Sequence, residues 1–178
     1  MKVSKCHLDG VYLIEPLIYN DERGFFLEIF EQERYRELGI VEDFVQENHS
    51  RSNKNVLRGL HFTINRPQSQ IVTVIRGRIF DVVVDIRKDS PTFGKWFGTE
   101  LSDEGPRQIY MAHGFAHGFC VLSDYADLHY KVSQKYNLSN ERGLIWNDVD
   151  IKIDWPIKDP VISERDSRHR TLQILWSN

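Results

Sequence analysis

Short apolar runs rich in β-branched and aromatic residues recur along the chain, each closed by turn residues, and this alternation most limits the possible fold. The runs cover residues 11–14, 24–30, 44–48, 56–63, 71–76, 79–86, 95–101, 107–111, 114–122 and 128–133. Their length and residue types are those of strands rather than amphipathic helices. Residues 31–38, short and charged, read as the best early helix, and the polar region from Pro160 onward reads as part helical. Arg76-Gly77-Arg78, between two of the runs, reads as a tight hairpin. About ten strands with few helices predict an all-β sandwich or barrel. A closed or jelly-roll barrel leaves an interior that holds a small ligand.

At 178 residues the chain is expected to form a single domain, 1–178, with no repeat, linker or low-complexity tract. A net charge of −3 argues against a protein built to coat nucleic acid. No apolar run reaches the ~18 residues of a membrane helix, and Met1-Lys2-Val3-Ser4-Lys5 lacks the apolar stretch of a secretory signal. Cys6 and Cys120 match no CxxC pattern, so zinc ribbons and disulfide scaffolds are not expected. The expected setting is the cytoplasm, with both thiols reduced.

Strand parity picks out residues that share a face. Phe115, His117, Phe119 and Val121 form one set, and Leu128, Tyr130 and Val132 another. His117 and Tyr130 thus sit among apolar neighbours, either as hydrogen-bonded core groups or as pocket residues. Gln46, Asn48 and Ser50 share a face that suits sugar or base recognition, or a solvated edge. Arg58 and His61 have opposite parity, but Gly59 between them allows a bulge that turns both to one side. That pair reads either as an anion site beside a base or as a surface arginine and a core histidine. Asp21-Glu22-Arg23-Gly24-Phe25-Phe26-Leu27-Glu28 is either an edge strand with a charged turn or a phosphate-binding arginine followed by an aromatic and an acceptor.

A metal site is not expected. The chain has no His-x-His pair, and His113 and His117 would lie about 13 Å apart on a strand. The P-loop and the Rossmann glycine fingerprint are both absent, so nucleotide hydrolysis and hydride transfer have no support.

Taken in order, several motifs together resemble one family. They are Asp21-Glu22-Arg23-Gly24-Phe25-Phe26, Asn55-Val56-Leu57-Arg58-Gly59-Leu60-His61-Phe62, Phe80-Asp81-Val82-Val83-Val84-Asp85-Ile86-Arg87 and Ser90-Pro91-Thr92-Phe93-Gly94. Gly114-Phe115-Ala116-His117-Gly118-Phe119, Trp146-Asn147-Asp148, Ile153-Asp154-Trp155-Pro156 and Ile162-Ser163-Glu164-Arg165-Asp166 continue the series. The series resembles the dTDP-4-dehydrorhamnose 3,5-epimerases. The resemblance implies a cupin-like jelly-roll barrel with a few short helices, acting as a homodimer without metal or diffusible cofactor. It implies an isomerase that inverts C3 and C5 of a nucleotide-diphosphate 4-keto-6-deoxy sugar in deoxysugar and lipopolysaccharide biosynthesis.

Mapped by motif, the resemblance makes His61 the base, Asp166 its partner and Tyr130 the proton donor on the opposite face. It places Arg23 and Arg58 on the diphosphate, Phe26, Glu28 and Gln46 around the nucleotide base, and Asn48 and His117 near the sugar. One position departs from the pattern. Seven residues before Gly77, where the family usually has a lysine near the keto oxygen, stands Gln70, in a stretch one residue shorter than usual. Three readings follow: Gln70 suffices, with Arg66 nearby; the base or sugar differs, as in a CDP- or GDP-linked substrate; or only one centre is epimerised. A sugar-nucleotide-binding protein without turnover is the alternative from another class. A second departure, Ala112-His113 in place of Pro-Glu or Pro-Pro, falls at the expected pocket rim.

Overall fold

A computed structural model describes residues 1–176 and is almost entirely β. The strands are β1 (Lys2–Lys5), β2 (Val11–Glu15), β3 (Ile18–Asp21), β4 (Gly24–Leu27), β5 (Gln46–Asn53), β6 (Leu57–Thr63) and β7 (Gln70–Arg76). They continue with β8 (Arg78–Asp85), β9 (Trp96–Ser102), β10 (Gln108–Met111), β11 (Phe115–Val121), β12 (Tyr125–Val132) and β13 (Glu141–Gly143). The helices are α1 (Gln32–Glu37) and α2 (Leu172–Trp176). A six-stranded sheet in the order β1-β2-β10-β7-β12-β5 faces a five-stranded sheet in the order β13-β6-β11-β8-β9, with β3 and β4 pairing as a separate ribbon. This is the expected jelly-roll architecture.

One local expectation is corrected. The turn at Gly77 does not make a hairpin: β7 pairs with β10 and β12, whereas β8 pairs with β11 and β9. The turn carries the chain from one sheet to the other. Gly77 has φ +83°, and a Cβ there would lie 2.2 Å from the Tyr125 carbonyl oxygen, so the corner accepts only glycine. A glycine turn between two apolar runs looks the same locally whether it closes a hairpin or a corner.

The core lies between the sheets. Val72, Val74 and Leu128 from the larger sheet meet Val83, Phe119 and Val121 from the smaller. Burying each such side chain contributes roughly 1.5–3 kcal/mol. Val82 and Val84 point to the other face of β8, where Leu60, Leu144, Ile151 and Leu172 cover them. Burial on both faces explains the nearly unbroken apolar run at 79–86. Helix α1 matches the expected segment 31–38. The Glu31 carboxylate caps it by accepting from the Glu33 and Arg34 N–H groups, and Tyr35 is buried.

Asp85 ties β8 to the following loop. Its carboxylate accepts from Ser90 Oγ at 2.6 Å, Thr92 Oγ1 at 2.6 Å and Arg87 Nη2 at 2.7 Å. Burial would raise its pKa, but these hydrogen bonds outweigh burial and hold it at about 2.

Candidate active site

His61 and Arg58 reach one cavity because β6 is irregular where the sequence has Gly59. His61 is opposite His117 on β11 and Arg58 is opposite Phe119, so three residue steps on β6 match two on β11. Gly59 has φ +123°, and a Cβ there would lie 2.6 Å from Gly118 Cα. The expected bulge is present and turns both side chains inward.

The cavity lies between the two sheets, with a volume of about 410 Å³. Gln46, Asn48 and Ser50 line it from β5, Gln70 and Val72 from β7, and Leu128, Tyr130 and Val132 from β12. Arg58, His61, His117 and Phe119 line it from the smaller sheet. The faces read from strand parity are therefore the inward faces. Polar groups on an apolar frame, in a space of this size, fit a small polar ligand.

The segment after β13 brings Asp166 to His61. His61 Nε2 lies 2.9 Å from Asp166 Oδ1, and Asp166 Oδ2 accepts from the Gly59 N–H at 3.2 Å. Asp166 is buried in a short turn. Burial alone would push its carboxyl up. The His61 and Gly59 hydrogen bonds and the His61 charge outweigh that and hold it well below the usual carboxylate range. The ionised Asp166 accepts a hydrogen bond from His61 Nε2–H, and in that tautomer Nδ1 is the ring's free acceptor. Nδ1 lies 3.8 Å from Glu141 Oε1 on β13. This is the arrangement of a general base with an orienting carboxylate.

Tyr130 enters from the facing sheet. Burial raises its hydroxyl pKa and the charge of Arg58 opposes that rise. Its side chain lines the cavity. His117 forms a second pair, its Nε2 2.8 Å from Oδ2 of the fully buried Asp81. Gln46 Nε2 donates to Asn48 Oδ1 at 2.8 Å, which fixes the amide row on β5.

Three expected binding residues lie elsewhere in the chain. Arg23, Phe26 and Glu28 do not line the cavity. Arg23 pairs with Asp21 at the tip of the β3–β4 ribbon, Phe26 packs on Tyr19, and Glu28 pairs with Arg34. Arg66 and His113 line an adjoining cavity of about 760 Å³ that shares Thr63, Gln68 and Tyr136 with the first.

Sequence reasoning passed over Arg165, Glu141, Tyr136, Asp81 and His169. Arg165 Nη1 donates to Glu141 Oε2 at 2.7 Å, and the Tyr136 hydroxyl donates to the same oxygen at 2.9 Å. Arg165 precedes Asp166 directly, and that adjacency was the available signal. Glu141 and Tyr136 carry none. His61, Asp166 and His169 bring ligand atoms within 4.8 Å of one another, a grouping that could be read as a metal site. The Arg165 guanidinium lies over the same atoms, with Nη2 3.3 Å from His61 Nε2 and Nε 3.6 Å from Asp166 Oδ1. A fixed cation there opposes a divalent ion and favours acid–base chemistry. Among the described residues no helix is long and apolar enough to cross a membrane.

The family described as dTDP-4-dehydrorhamnose 3,5-epimerase matches residues 5–173. The chain is 49% identical over 168 residues to dTDP-4-dehydrorhamnose 3,5-epimerase of Shigella flexneri, which covers 93% of each chain. It is 41% identical over 168 residues to dTDP-4-dehydrorhamnose 3-epimerase of Streptomyces niveus, covering 93% of this chain and 81% of that one. Its fold superposes with a TM-score of 0.95 on dTDP-6-deoxy-D-glucose-3,5-epimerase of Legionella pneumophila, solved with dTDP-4-keto-L-rhamnose. That pair is 46% identical, over 98% of this chain and 94% of the other. The chain belongs to the dTDP-4-dehydrorhamnose 3,5-epimerase family and is by class an isomerase, an epimerase.

Proposed function

We propose that the chain epimerises C3 and C5 of dTDP-4-dehydro-6-deoxy-D-glucose to give dTDP-4-dehydro-L-rhamnose, with His61 as base and Tyr130 as proton donor. The observation that carries this reading is the His61–Asp166 pair on one sheet with Tyr130 on the facing sheet of the same cavity. The 4-keto group acidifies the hydrogens on C3 and C5. His61 Nδ1 takes one of them, and the C–H electron pair becomes an enolate. Asp166 stabilises the imidazolium that forms. Tyr130 then delivers a proton to the opposite face of the same carbon. Solvent reprotonates the tyrosinate and takes the proton from His61, and a second round inverts the other centre.

Arg58 would hold the diphosphate, and Gln46, Asn48, Gln70 and His117 the base and sugar, all of them cavity residues. Arg23, Phe26 and Glu28 would act in a homodimer, where the ribbon of one subunit meets the nucleotide of the other. In support, Phe25 and Phe26 are 65% and 69% exposed, unusual for adjacent aromatics with no ligand role. The expected setting is the cytoplasm, on a route to rhamnose-containing polysaccharide, and Cys6 and Cys120 are free thiols. A second reading is favoured by Gln70 and by the Streptomyces niveus relative named a 3-epimerase: inversion at one centre only.

The test is NMR of dTDP-4-keto-6-deoxyglucose with the protein in heavy water. Deuterium at both C3 and C5, with an L-configured product trapped by a reductase, supports the double epimerisation. Deuterium at one carbon selects the second reading. No deuterium at either carbon overturns the substrate assignment.

A further inference from the structure

We propose that Arg165 supplies the positive charge that stabilises the enolate oxygen in this chain, in place of a lysine at position 70. The proposal rests on the enolate mechanism above. An enolate needs a donor or cation near its oxygen. Gln70, at the position where a lysine was expected, offers only a neutral amide, and that amide is turned to Gln68 Oε1 at 3.4 Å. Arg66 lines the adjoining cavity instead. Among the described residues Arg58 and Arg165 are the Lys or Arg side chains that line the reaction cavity.

Geometry separates these two. Arg58 is held through Nε by Ser52 Oγ at 2.8 Å, and its charge acts on Tyr130, on the proton-donor side. Arg165 sits on the base side, with Nη2 3.3 Å from His61 Nε2. The Nε2 proton points at Asp166, so Arg165 Nη2 has no acceptor there. Its other contact, to Glu141 Oε1, is a long 3.3 Å, whereas Nη1 holds Glu141 Oε2 firmly at 2.7 Å. Nη2 is therefore the weakly committed donor beside the base. C3 and C5 both flank the carbonyl carbon, so one cation near that oxygen serves both enolates. The fork of a guanidinium also keeps its charge through the reaction.

The test compares the R165M, R165Q, R165K and Q70K/R165M variants with the unaltered protein, reading kcat, KM and deuterium exchange at C3 and C5. R165M should lower kcat and exchange at both carbons by about 10²–10³-fold, with dTDP affinity changed less than about threefold. R165K should keep the rate within about tenfold, because the charge remains. Q70K in the R165M background should recover at least about tenfold, since it restores a cation at another point of the same cavity. R165Q, which keeps a donor to Glu141 without the charge, carries the test if R165M fails to fold. If the unaltered protein exchanges neither carbon, the enolate mechanism itself fails. If it exchanges and the neutral variants stay within about threefold, only the role of Arg165 fails. If Q70K recovers nothing, Arg165 acts by positioning His61 and Asp166, and the proposal is overturned.

Discussion

The cavity and the β3–β4 ribbon contain the same kinds of residue in opposite surroundings. In the cavity an arginine, a glutamate and a tyrosine are joined: Arg165 and Tyr136 both donate to Glu141 beside His61. On the ribbon and just beyond it, Arg23 and Phe26 are exposed and Glu28 pairs with the neighbouring Arg34. The first set is held in place before a ligand arrives. The second lies exposed and makes only local contacts, Arg23 to Asp21 and Phe26 to Tyr19. Preorganised groups in a secluded site speed a reaction, whereas exposed groups completed by a partner add affinity. The two regions should therefore fail differently when altered.

The largest effect is expected at the base. His61→Ala should lower deuterium exchange at both carbons by about 10³-fold or more while dTDP still binds, as exchange kinetics and calorimetry would show. Near-normal exchange in that variant would remove His61 from the mechanism. Tyr130→Phe comes next. It should cut formation of the inverted product by about 10²-fold while return exchange on the base side is less affected, a split visible in NMR time courses. Equal loss of both would mean that Tyr130 is not a separate donor.

On the ribbon, Phe26→Ala should raise KM by about tenfold and leave kcat close to unchanged, and sedimentation should show whether assembly weakens in parallel. A fall in kcat matching that of the cavity variants would erase the distinction between the regions. The smallest effect on activity is expected at Asp85, which belongs to neither region. Asp85→Asn should cost roughly 2 kcal/mol of stability, read as a melting point lower by about 4–8 °C, with kcat unchanged. The sign of its pH dependence follows from a pKa lowered from 3.8 to about 2. The Asp85 contribution is full above about pH 4 and is lost as pH falls towards 2, because protonation is then opposed in the folded state only. The variant should lose that part of the acid sensitivity.

Much of the site was legible before the fold. Period-two alternation placed Gln46, Asn48 and Ser50 on one face and Leu128, Tyr130 and Val132 on another, and both faces line the cavity. Gly59 gave away the irregularity that brings Arg58 and His61 together. The hairpin expected at Gly77 failed because pairing partners are chosen by distant strands, which a turn does not encode. Strand β5 runs to Asn53, past the expected end at residue 48, because it pairs with β12 along its whole length.

What the sequence by itself determined was local: strand periodicity, turn chemistry, the positions that need glycine, and the ordered motifs that resemble one family. Tertiary structure alone decided which distant groups meet. Asp166 lies 105 residues from His61 in sequence and 2.9 Å from it in space, and Arg165 and Glu141 arrive with the segments that carry them. Periodicity is set by backbone geometry within a few residues, so it can be read from the chain. Contact between remote side chains depends on how sheets stack and where connecting segments return, and those are settled by burial of the whole core.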